Sequence, residues 1–195
     1  MSRIRTRAAA TVAALGIVAA PVGIAQAGDG GHGRHGGSHP QQQPAPAPTP
    51  VDAQAFVAQA TQSNTFEIVS SQLAHERAKS RAVHHIAEHL IRDHTRAQQE
   101  LEATAASVGI DAPAPSLNPE QAAIVAKLKG LRGKAFDAAY LQAQVVAHQQ
   151  AIALFTGFAS VDANPRPLRL LAIQTLPVLG QHLGEVNAAL AHGEH

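Results

Sequence analysis

From Ala82 to Val108 the chain carries one unbroken apolar stripe, and few folds can accommodate it. Val83, Ala87, Leu90, His94, Ala97, Leu101, Thr104 and Val108 recur at alternating spacings of four and three. That period places all eight on one face of a long α-helix, and such a face must be buried against a neighbour. Every member is apolar or small except His94, which stands in the middle. A titratable ring on a buried seam needs a hydrogen-bond partner or a metal ion.

The rest of the chain offers helices as the neighbours. Asp52 is placed to cap a first helix to about Glu76, with Phe56, Val57, Ala60, Ile68, Leu73 and Ala74 on its apolar face. Glu67 follows Phe56 by eleven residues, about 20° around the axis, so a carboxylate stands on or beside that face. The stripe loses phase over residues 77–81, which predicts a break, with Ser80 as cap of the second helix. Gly109 ends that helix, and Pro113 and Pro115 make residues 110–118 a loop. Asn118-Pro119-Glu120 starts a third helix, with a break or bend at Gly130 and Gly133. It resumes over residues 134–160 with the stripe Leu141, Val145, His148, Ile152 and Phe155. After a turn at residues 162–167, a fourth helix to about Ala191 carries Leu168, Ala172, Thr175, Leu179, His182, Val186 and Ala189. Pro177 is expected to kink it. β-branched runs of period two are missing, so the fold class is all-α: an antiparallel four-helix bundle.

Three of the four seams therefore hold a histidine as their polar exception. In an up-down-up-down bundle the turns near residues 78 and 164 share one end. His94 and His148 are each 16 residues from those turns and His182 is 18, so the rings fall within about 3 Å in depth at 1.5 Å per residue. Glu67 is 11 residues from its turn, about 7 Å nearer that end. Three imidazoles, with Glu67 as a candidate fourth ligand, suit zinc, copper or iron. The competing reading has three core histidines satisfied by backbone, Thr175, Tyr140 or buried water. His85 and His89, with His84 and Glu88 beside them, have chelating spacing but lie off the seam and read as a solvated face.

The N-terminus has the order of a secretory leader: three arginines in the first seven residues, an apolar run broken by Gly16, Pro21 and Gly23, then Ala25-Gln26-Ala27. Residues 1–27 are expected to be removed. Residues 28–50 are a Gly/His-rich and then Pro-rich linker that cannot build a core; His32, His35 and His39 could take up a transition metal weakly, but the segment reads first as a spacer. Residues 51–191 form the bundle and 192–195 a tail. Without cysteine the chain has neither a disulfide nor a lipidated N-terminal Cys. Loss of the leader leaves 12 basic against 14 acidic residues, a balance that disfavours nucleic acid. Twelve histidines beside one tyrosine and no tryptophan tilt the composition toward metal handling.

Glu-x-x-His pairs do not occur in the domain, which argues against the di-iron carboxylate chemistry of many bundles. Nor does the sequence hold a Ser-His-Asp order, a phosphate loop or paired catalytic carboxylates. No catalytic residue is assigned.

Several segments together resemble a known family. They are Phe56-Val57 with Glu67, Ile91-Arg92-Asp93-His94-Thr95-Arg96-Ala97, the run Gly133 to Leu141, His148, and Thr175-Leu176-Pro177 with His182-Leu183. They resemble a bacterial exported family catalogued as domain of unknown function 4142 and often labelled outer membrane protein. The likeness spans residues 53–190. It implies a ferritin-like four-helix bundle outside the cytoplasm and no established activity. The family often has a glycine pair where this chain has Ser63-Asn64. No barrel-strand pattern supports the outer-membrane label.

The sequence thus leads to an exported bundle, in the periplasm or the medium, holding a transition metal through His94, His148, His182 and Glu67 for buffering or envelope stress protection. A module with pH-sensitive core histidines is the alternative. A metal-dependent oxidoreductase at the same seam is the third.

Overall fold

The computed structural model describes residues 52–193, so the leader, the His- and Pro-rich linker and the last two residues lie outside the described residues. Five α-helices follow one another: α1 (Ala53–Arg77), α2 (Arg81–Ser107), α3 (Pro119–Lys129), α4 (Gly133–Ala159) and α5 (Arg166–Gly193). The last runs two residues past the expected end. No strand occurs among the described residues.

Local chemistry sets the boundaries. The Asp52 carboxylate accepts the Ala55 N–H at 2.7 Å and starts α1. Gly109, at φ 75°, ends α2, and the Ile110 N–H then reaches back to the Ala105 carbonyl at 3.0 Å. Asn118 and Gln121 cap each other at the start of α3, side chain to backbone, at 2.8 and 3.0 Å. Gly133, at φ 61°, opens α4 and separates it from α3. The Ser80 hydroxyl makes no cap at α2. Asp137 of α4 takes that place: its carboxylate accepts the Lys79 and Ser80 N–H groups, each at 3.0 Å. α5 continues unbroken through Pro177.

α1, α2, α5 and α4 pack in a closed ring of four, and the short α3 lies against α1 and α4. Adjacent long helices are antiparallel, but the connection differs from the simple up-down-up-down order. Phe56 near the start of α1 stacks on Phe158 near the end of α4 at 3.9 Å between ring centroids. The α1–α2 turn meets the start of α4 through Asp137. The α1–α2 and α4–α5 turns therefore lie at opposite ends. Residues 108–132, including α3, carry the chain back along the bundle before α4 begins. This is the crossover that a ferritin-like bundle uses.

Two apolar cores fill the ends. One gathers Phe56, Val57, Leu101, Phe155, Phe158 and Leu168; the other gathers Val83, Leu90, Leu128, Phe136, Tyr140 and Val186. Between them runs a buried polar layer: Asn64, Glu67, Ser70 and Ser71 of α1, His94 of α2, Gln144 and His148 of α4, and His182 of α5. Burying so many polar groups in mid-bundle is costly, so the layer calls for a partner-by-partner account.

Candidate metal centre

His94, His148 and His182 meet in this layer. Their ring centroids are 5.7, 5.5 and 5.4 Å apart pairwise. One ring nitrogen from each lies within 4.8 Å of the other two, and all three side chains are buried. The convergence survives the altered topology because each histidine sits near the middle of a helix of 27 or 28 residues. A midpoint stays at mid-depth whichever way the helix runs.

Each ring is anchored from behind by a different acceptor. His94 Nδ1 donates to Asn64 Oδ1 at 3.0 Å. His148 Nδ1 donates to the Gln144 carbonyl at 2.9 Å. His182 Nε2 donates to Asp93 Oδ2 at 3.2 Å. A carbonyl and a carboxylate can only accept, and Asn64 is oriented by its own Nδ2 donating to Gln98 Oε1 at 3.1 Å. The anchored nitrogens thus carry the protons. The remaining ones, His94 Nε2, His148 Nε2 and His182 Nδ1, hold lone pairs and have no hydrogen-bond partner among the described residues. Thr175 and Tyr140 do not supply one. Thr175 donates to Leu171 of its own helix at 2.8 Å, and Tyr140 pairs with Ser71 at 2.8 Å.

Burial sets the charge states. It pushes His94 well below the ordinary imidazole value, and the neighbouring His148 and His182 add to the effect. Burial also takes His148 down to about 4, against the opposing pull of the Gln144 carbonyl. Glu67 is pushed well above the usual carboxylate range by burial, partly offset by the Gln144 amide. Its Oε1 lies 3.6 Å from His148 Nδ1. That approach is too long for a hydrogen bond, and burial penalises both charges, so acid and imidazole meet as neutral groups. At Asp93 partial burial is outweighed by hydrogen bonds from His182 and Arg92, which hold the carboxyl below its ordinary value.

Glu67 occupies a different position from the one expected of a fourth ligand. It reaches the histidine layer, because Asp137 is level with the α1–α2 turn; His148 is eleven residues along from Asp137, and Glu67 twelve back from Lys79. Its carboxyl, however, approaches the anchored nitrogen of His148 and does not belong to the converging group. Glu67 Oε2 has no hydrogen-bond partner among the described residues.

A cavity of about 30 Å³ touches His94 and His182, with Ala97, Phe155 and Leu179 in its wall. That volume holds about one water-sized ligand. Asp93, Ala97, Thr175 and Val178 also line an outer groove of about 360 Å³ between α2 and α5. The α2–α5 face is therefore the near side of the cluster.

Sequence reasoning found the three rings and missed Asn64, Asp93 and the Gln144 carbonyl. Asp93 gave a faint signal: it adjoins His94 and so faces the next helix at about 100° around the axis. Ser63-Asn64, noted as a departure from the family pattern, had a use that was not apparent. α1 passes through it without interruption, and the Asn64 side chain fills the space beside His94.

A family model described as Domain of unknown function (DUF4142) matches residues 38–189. No curated protein matches the chain. Among solved structures, the chain is similar to a DUF305 fragment from Deinococcus radiodurans, with 20% identity and a TM-score of 0.63, over 74% of this chain and 99% of that one. It is also similar to a DUF305 protein from Streptomyces coelicolor, named as a candidate secreted protein, with 14% identity and a TM-score of 0.60, over 75% of this chain and 96% of that one. At these identities the likeness is one of fold.

Proposed function

We propose that this chain, which belongs to the family described as a domain of unknown function (DUF4142), is an exported bundle protein that holds a transition-metal ion in its core. The ion sits between His94 Nε2, His148 Nε2 and His182 Nδ1. One observation carries the reading: three buried histidines converge, and in each of them one ring nitrogen has no hydrogen-bond partner among the described residues while the opposite nitrogen is fixed by an acceptor. That is how proteins orient imidazole ligands toward a metal, and three unsatisfied acceptors are hard to retain otherwise.

Tetrahedral bonds of about 2.0–2.1 Å place ligand nitrogens roughly 3.4 Å apart. The donor atoms, which lie within 4.8 Å of one another, would have to draw closer to reach that spacing. Neutral imidazole donors suit zinc, copper and iron. An ion of charge +2 in this layer draws compensation from Asp93 behind His182 and from Glu67 behind His148. Glu67, a neutral acid in the metal-free layer, would give up its proton to act as a charge partner from behind the ring. Three protein ligands leave a fourth position, and the small cavity offers room for a water there.

The role that fits is buffering of a transition metal outside the cytoplasm. Export rests on the leader at residues 1–27 and on the candidate secreted protein of like fold. No helix among the described residues is long and apolar enough to cross a membrane.

Metal analysis after purification without an affinity tag tests the reading. The wild-type chain is expected to hold about one ion more than the H94A/H148A/H182A variant, both with His32, His35 and His39 replaced by alanine. Equal metal contents overturn it. The Asp93→Ala variant keeps all three rings and is expected to weaken binding 10- to 100-fold, as removal of an outer partner does. Equal dissociation constants for wild type and variant in a chelator competition would remove Asp93 from the site.

A further inference from the structure

A second pair of imidazoles lies outside the core. His85 and His89 stand one turn apart on α2, with ring centroids 4.1 Å apart and planes tilted by 56°. From across the helix interface, Glu185 of α5 brings Oε2 to 3.7 Å from His89 Nδ1. His85 is exposed, and the side chains of His89 and Glu185 are 30% and 41% exposed. They line a groove of about 400 Å³ with Ile86, Ala188 and Ala189 at its apolar wall and His192 beside it.

We propose that His85, His89 and Glu185 form a second site, on the surface, for a borderline divalent transition-metal ion. Imidazoles at i and i+4 converge on one side of a helix and can chelate such an ion. A chelate on a single exposed helix is weak. The carboxylate from α5 adds a third donor and a negative charge from a rigidly packed neighbour. At 3.7 Å it is not tied to His89 by a hydrogen bond, so both groups can turn toward an ion. The apolar wall on one side limits hydration and strengthens the attraction.

The position gives this site a use. Asp93 follows His89 by four residues on α2, and His182 precedes Glu185 by three on α5. Each step is about one helical turn, roughly 4.5–6 Å. The surface trio therefore stands one turn along the α2–α5 interface from the hydrogen-bonded Asp93–His182 pair. An ion captured at the surface is concentrated beside the near side of the core cluster. This use rests on the core reading; binding at the surface does not.

Zinc titration of the full chain with a chromophoric competitor tests it, again with His32, His35 and His39 replaced by alanine. The parent is expected to take up two equivalents, one tight and one weaker. H85A/H89A should lose the weaker equivalent, keep the tight one and fill it several-fold more slowly in stopped flow. E185Q should weaken the surface equivalent about tenfold and leave the tight one alone. His85, His89 and Glu185 lie at exposed or half-exposed positions, and unchanged circular dichroism will confirm the fold. Two full equivalents in H85A/H89A overturn the surface site; an unchanged filling rate overturns its capture role. The two readings fail separately: if H94A/H148A/H182A loses no equivalent while H85A/H89A does, the core reading falls and the surface site stands.

Discussion

Adding zinc to the metal-free protein should raise its free energy of unfolding by about 4 kcal/mol when free ion stands at 1,000 times the dissociation constant. For a domain of this size that shifts the melting temperature upward by roughly 10 °C or more. The gain should vanish in His148→Ala. His148 is fully buried and anchored by its own helix, so its lone pair has no alternative use in the fold. In metal-free protein the same substitution leaves a cavity but also removes an unsatisfied acceptor, and the two effects offset each other in part. Differential scanning with and without zinc separates the contributions. A ring that only filled space would cost the same stability under both conditions. The H85A/H89A background keeps the surface pair from adding to the shift.

Acid should destabilise the metal-free protein, and the sign follows from the burial of the imidazoles. His148 falls from the ordinary 6.5 to about 4 in the fold. Between those values the unfolded chain takes up a proton that the folded chain refuses. Stability is therefore intact above about pH 6.5 and lost as the pH falls toward 4, by about 3 kcal/mol from this ring alone. His94 is shifted in the same direction and adds to the loss. Glu67 works the other way: its folded value is raised, so the folded chain keeps a proton that the unfolded chain releases above the usual carboxylate range. Its contribution grows as the pH falls through the same window and masks part of the histidine slope. Urea unfolding in the presence of chelator, from pH 7 to 4, should show the loss in wild type, a steeper loss in Glu67→Gln and a shallower one in His148→Gln. A flat profile in all three would show that burial does not hold these rings neutral.

Helix positions were legible in the residues because the seams keep their three-four period and the ends carry strong local signals. Asn118-Pro119 and Gly109 act through backbone geometry that no tertiary contact overrides. Chain direction was not legible. α3 and α4 share an apolar pattern across Gly130 and Gly133, so the crossover reads as the start of one long helix. Nothing in residues 108–132 states which end of the bundle they leave for. The three rings still coincide, since a midpoint is the same from either end. Glu67 shows where such counting stops. A helical wheel places its carboxyl on or beside the core face, but only the packing sets its depth and decides that it faces the anchored nitrogen of His148.

The anchoring residues were illegible for a different reason. Asn64, Asp93 and Gln144 look like ordinary polar positions on helix flanks, and their meaning comes from the neighbour each one meets. Glu185 is the same case at the surface, where it meets His89 from across the α2–α5 interface. A sequence shows a ligand set when it lies on one helix or one seam. It does not show the partners supplied across an interface.

The most direct test is an anomalous-scattering map from crystals of the protein soaked in zinc and measured on both sides of the zinc edge. The expected result is one strong peak in the core, about 2.0–2.1 Å from His94 Nε2, His148 Nε2 and His182 Nδ1. A core with no anomalous peak, its three nitrogens bridged instead by an ordered water at zinc concentrations that fill the surface groove, would contradict the metal centre.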